Sequence, residues 1–131
     1  MTARGIETVE ITGERTFEDT VGRLLASFER AGLTVFARID HHAAAAAAGL
    51  TMPPATVLIY GNPRGGTPVM LASPGLALDL PLRVLVREDD AGRVIVAFHP
   101  TLPMIRAAGL QEDLAAPLIK AQKLIETAVQ G

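Results

Sequence analysis

The stretch TVLIYGNPRGGTPVMLASPGLALDLPLRVLV, residues 56–86, decides the fold. Thr56 to Tyr60 is nearly continuous apolar and β-branched, the composition of a central strand buried on both faces. Gly61-Asn62-Pro63-Arg64-Gly65-Gly66 cannot continue that strand as regular structure, because glycine and proline break the ladder. Thr67 then serves as a helix N-cap, with Pro68 at the first helical position, where its missing N–H costs nothing. A short helix from Pro68 to Ser73 is predicted, ending at Pro74-Gly75. Leu76 to Leu80 crosses back as a polar-poor loop, and Pro81 marks the entry to a strand. In that strand Leu82, Val84 and Val86 point inward, Arg83 and Arg87 outward, with Leu85 between the arginines.

Downstream, Glu88-Asp89-Asp90-Ala91-Gly92 is a hairpin loop, and Val94, Val96 and Phe98 share one face of the returning strand. His99-Pro100 ends it. A short turn from Pro103 to Ala108 precedes Gly109, and a longer helix is expected from about Gln111 to Ala128. Pro117 interrupts its pattern, which kinks the helix or delays its start. Upstream, Ile6 to Thr12 alternates with a period of two, a strand with one wet face. Thr16 caps a helix carrying Phe17, Val21, Leu24, Leu25 and Phe28 at helical spacing, and Gly32 stops it. Leu33 to Asp40 is a strand with Leu33, Val35, Ala37 and Ile39 on one face. Asp40-His41-His42 opens the alanine run Ala43 to Ala48, a helix stopped at Gly49.

The order is therefore β-α-β-α-β-(short α)-β-β-α: an α+β domain spanning residues 1–131, with helices packed on a mixed sheet of about five strands. At 131 residues a core needs no staples. Cysteine is absent, which removes disulfides and thiol chemistry. Net charge is −2 and aromatics make up 4%, so the basic stripe and stacking rings of a nucleic-acid binder are missing. The start MTARGIETVEITG lacks the apolar core of a signal peptide, and the longest polar-free run, Ala43 to Leu50, is too short for a membrane span. The expectation is a cytoplasmic protein with no cofactor, no metal, no nucleic-acid partner and no membrane contact. The apolar composition, 49% hydrophobic residues, points to a homodimer.

Phe36-Ala37-Arg38-Ile39-Asp40-His41-His42, the bend Tyr60-Gly61-Asn62-Pro63, Gly66-Thr67-Pro68-x-Met70, and the strand entry Leu78-Asp79-Leu80-Pro81-Leu82 together resemble the DUF302 family of small bacterial and archaeal domains. The resemblance covers most of the chain. It implies the fold and brings no assigned activity with it.

Two segments carry the candidate chemistry. Gly61-x-x-x-x-Gly66-Thr67 matches a phosphate loop without its lysine, which disfavours nucleotide hydrolysis. A helix start there can still hold an anion on backbone N–H groups, with Arg64 adding a fork of donors. The simpler account is a tight turn that needs its glycines. At the other segment, Asp40 can orient His41 for acid–base work, with Asn62 or Arg64 polarising a substrate. Here the simpler account is that Asp40 only caps the alanine helix. The leading expectation is a non-enzymatic module binding a small ligand or anion between the two segments, at Asp40, His41, Asn62, Arg64, Gly66 and Thr67. The alternatives are an enzyme using Asp40 and His41, and a structural or interaction dimer. His99 and Asp79 stand apart: His99 as a strand end, Asp79 as a carboxylate that pairs with Arg83 or satisfies backbone donors in its loop.

Overall fold

The computed structural model describes residues 2–3 and 6–131. The expectation of no leader was read partly from residues 1, 4 and 5, which lie outside the described residues. A small antiparallel ribbon, β1 (Thr2–Ala3) against β2 (Ile6–Glu7), precedes the main sheet. That sheet contains β3 (Val9–Gly13), β4 (Thr34–Asp40), β5 (Ala55–Gly61), β6 (Leu82–Glu88) and β7 (Val94–Phe98). Its order is β3-β7-β6-β5-β4.

The α+β class and the five-stranded sheet follow the sequence. The pairing is antiparallel throughout rather than mixed. From β4 to β7 each connection simply reverses the chain beside the strand it left. Only α1 (Phe17–Arg30) carries it from one edge strand to the other. β5 is consequently next to an edge, and β6 is central.

Local chemistry fixes the element ends. Asp19 N–H donates to Thr16 Oγ1 at 3.1 Å, the expected cap of α1. At its far end Gly32 takes φ +73°, so that the Leu33 N–H reaches back to the Phe28 carbonyl at 2.9 Å. In the β6–β7 hairpin, Asp89 Oδ1 accepts from the N–H groups of Ala91 and Arg93 at 3.0 and 2.9 Å. The Arg93 N–H is the main reason the Asp89 carboxyl sits below the usual carboxylate range. After α4 (Thr101–Ala107), a 3-10 turn at Glu112–Ala115 leads into α5 (Ala116–Gln130), with Pro117 in its first turn; the proline delays the helix.

The core lies between one sheet face and the antiparallel-packed pair α1 and α5. Val21, Leu24 and Phe28 of α1 and Leu118, Ile125 and Val129 of α5 meet Leu58, Tyr60, Val84, Val86 and Val96 of the sheet. Phe28 and Tyr60 stack with ring centroids 4.1 Å apart. The Tyr60 hydroxyl is buried with no hydrogen-bond partner among the described residues, and burial pushes its pKa up.

Among the described residues the opposite sheet face carries no helix layer. Cross-strand partners share a face, so Ile39, Val57, Leu85, Ala97 and Glu10 form one row across all five strands. Ala37, Ile59 and Arg83 form a second row, and Arg87, Ile95 and Thr12 a third. Val57 and Ile59 are thus only half-buried, and β5 is not enclosed on both faces. A register shift between Val35 and Ala37 also breaks the expected alternation of β4. Val35 pairs with Tyr60 on the helix side, while Ala37 pairs with Ile59 on the bare side.

Candidate functional site

Asp40 and His41 do not meet the glycine-rich bend. Asp40 pairs with Thr56 at the start of β5, whereas Gly61, at its end, pairs with Thr34. The two segments therefore sit at opposite ends of the sheet, roughly 17 Å apart along the strand at about 3.4 Å per residue. A single site built from both is excluded by the register. Asp40 Oδ1 accepts the Ala43 N–H at 2.8 Å as the N-cap of α2 (His41–Ala47). His41 is exposed, and His42 Nδ1 lies 2.6 Å from the Met52 carbonyl. The aspartate that was to orient an imidazole spends its carboxylate on a helix end.

The bend is a helix start, one turn earlier than the sequence suggests. α3 runs Pro63–Ala72, with Asn62 as N-cap and Pro63 in its first turn. Thr67 and Pro68 lie inside it. Asn62 Oδ1 accepts the Arg64 N–H at 2.8 Å, and the Gly65 and Gly66 N–H groups both donate to the Asn62 carbonyl at 3.0 Å. Pro63 has no N–H. The donors an anion would use are thus already engaged. The glycines serve packing: a Cβ on Gly65 would lie 3.0 Å from Pro117 Cβ on α5. Of this segment, the exposed Arg64 guanidinium and the Thr67 hydroxyl make no side-chain hydrogen bond among the described residues. Gly66 and Thr67 line a small cavity of about 220 Å³ with Phe36, Met70, Leu80 and Pro81.

Side chains with unspent chemistry converge elsewhere at this end of the sheet. A cavity of about 550 Å³ opens among β2, the 3-10 segment Pro74–Leu78, the first residues of β6 and the residues that follow β7. His99, Asp79, Arg83 and Glu7 line it together with the apolar Leu78, Leu82 and Met104. His99 Nδ1 donates to the Glu7 carbonyl at 3.0 Å, with Thr8 Oγ1 3.2 Å from the same nitrogen. A carbonyl only accepts, so the proton of the neutral ring sits on Nδ1 and Nε2 is left as an acceptor. Gln122, 6% exposed, holds the frame. Its Nε2 donates to the His99 carbonyl at 2.9 Å, and its Oε1 accepts from Thr101 N–H and Oγ1 at 3.2 and 3.3 Å.

Asp79 and Arg83 are both exposed and form no ion pair among the described residues, against the expectation that they pair with each other. His99, expected only to end a strand, reaches the start of the chain because β7 neighbours β3. Gln122 did leave a signal in the sequence. Buried Leu118, Ala121, Gln122 and Ile125 follow helical spacing, and an amide on that apolar stripe asks for partners. No group of three or more His, Asp or Glu side chains among the described residues is placed to hold a metal ion.

Comparison with known proteins places the fold. Three proteins named fluoride-specific ion channels are similar in sequence, including FluC 1 of Brucella suis and FluC 1 of Brucella abortus, each 37% identical over 113 residues. These matches cover 85% of this chain but only 44% and 41% of those proteins, so the chain spans less than half their length. Among solved structures, an uncharacterised conserved DUF302 protein from Bacillus stearothermophilus superposes with a TM-score of 0.79 over 94% of this chain and 95% of that one. At 16% identity this likeness concerns the fold. The family model described as "Domain of unknown function DUF302" matches residues 8–130, and the chain belongs to that family.

Proposed function

We propose that the domain is a non-enzymatic binding module whose ligand is a small zwitterion of the amino-acid class, held in the His99 cavity. Its carboxylate would sit on Arg83, its ammonium group on Asp79 and His99 Nε2, and its apolar body on Leu82 and Met104. One observation carries the reading. Asp79, Arg83 and His99 Nε2, which line this cavity, are complementary in kind and have no side-chain partner among the described residues, while Asp40 and Asn62 are engaged at helix ends. The volume also suits a small ligand, for which pockets run from roughly 300 to 1,000 Å³. Binding rather than turnover is favoured because His99 is oriented by a backbone carbonyl, and the Thr101 hydroxyl already donates to Gln122.

An NMR titration with L-methionine, and with acetate and methylamine as its separate halves, tests this. The expected result is saturable shifts confined to residues near Arg83, His99 and Thr101, with both halves binding more weakly. Arg83→Ala should weaken binding at least about tenfold, or about 1.4 kcal/mol. Unchanged affinity in Arg83→Ala and His99→Ala would overturn the assignment.

A second reading is favoured by the bare sheet face. We propose that its apolar rows are an interaction surface, occupied in solution by a second copy of the chain. In the longer Brucella proteins the matched segment would be an appended domain. No helix among the described residues of this chain is long and apolar enough to cross a membrane.

A further inference from the structure

A third cavity, of about 400 Å³, lies where the end of α1, the start of α3 and the start of α5 meet. Leu33, Leu82, Leu118 and Leu124 supply apolar walls, and Arg64 and Lys120 are its charged residues. No carboxylate lines it, which sets it apart from the His99 cavity with its Glu7 and Asp79. Neither cation forms an ion pair among the described residues.

The frame around Arg64 is rigid. Asn62 ties the start of α3 to the end of α1 through its Nδ2, which donates to the Gly32 carbonyl at 3.3 Å. The close approach of Gly65 to Pro117 fixes α3 against α5. An apolar cleft whose only charges are two unpaired cations has a defined complement: a molecule with an apolar tail and a single anionic head.

We propose that this cleft binds a medium-chain carboxylate, tail among the leucines and head on Arg64 and Lys120. The planar guanidinium of Arg64 takes a carboxylate bidentately, and the Lys120 ammonium adds a point charge. The site is distinct from the proposed zwitterion site, although Leu82 contributes to both walls.

Isothermal titration with octanoate, 1-octanol and acetate tests the proposal on the full chain. Octanoate alone should bind in the micromolar to low millimolar range. Arg64→Gln and Lys120→Gln should each reduce its affinity about five- to tenfold, and the double variant should bind no better than octanol does. Both positions are exposed, so these variants are expected to fold, which a thermal melt verifies. Equal binding of octanol and octanoate, or undiminished octanoate binding by the double variant, would overturn it. Arg83→Ala is the internal control: it should leave octanoate affinity unchanged, so that failure of this site and failure of the His99 site remain distinguishable.

Discussion

Tyr60 shows at the scale of one residue how the core is compromised. Its ring stacks on Phe28 and its hydroxyl is sealed in without a partner among the described residues. A buried unsatisfied hydroxyl costs about 1–3 kcal/mol. Tyr60→Phe keeps the ring contact and removes that cost, so the urea midpoint should rise by the equivalent of about 1 kcal/mol. A fall would mean the hydroxyl has a water or ligand partner. At this scale the sequence is legible where a residue's role is local. Asp40 beside an alanine run already implied a cap, and it is one. Asp79, Arg83 and His99 were opaque, since nothing in their sequence positions says that they line one cavity. That juxtaposition depends on β7 lying between β3 and β6.

The elements divide the same way. Both Asn62-Pro63 and Thr67-Pro68 satisfy the rule of a polar cap followed by proline, and periodicity alone cannot choose between them. Tertiary contacts choose. Asn62 makes two side-chain hydrogen bonds, and the glycines after it let α3 approach α5. Asn62→Ala is therefore expected to destabilise the domain by about 1–2 kcal/mol, while Thr67→Ala, exposed and inside the helix, should stay within about 0.5 kcal/mol. Chemical denaturation of both variants checks the contrast, and the reverse order would restore Thr67 as the cap. The hairpin around Asp89 was legible because its turn chemistry is contained in five consecutive residues. The register shift of β4 was not, because a bulge is defined by the partner strand.

For the whole molecule, the decisive feature is asymmetry between the two sheet faces. An antiparallel sheet with a solvated face normally shows polar residues there. Here Ile39, Val57, Ile59, Leu85 and Ile95 occupy it, with Arg83, Arg87 and Glu10 among them, the last two 3.7 Å apart. Sedimentation at micromolar concentration should show a dimer. Leu85→Lys, at the centre of the face, should give a folded monomer; a wild-type monomer at all concentrations would remove this surface from consideration as a self-contact. The sequence carried the amount of apolar residue but not its location, since an inward-facing and a bare row look alike in a strand pattern. Gln122 has a last consequence. The His99 cavity is assembled from residues near the start of the chain, from the middle, and from the last helix. The frame around His99 is complete only once α5, which follows every strand in the sequence, has docked on the sheet. A fragment ending before Gln122 would keep all five strands of the sheet and lose the side chain that holds the His99 carbonyl.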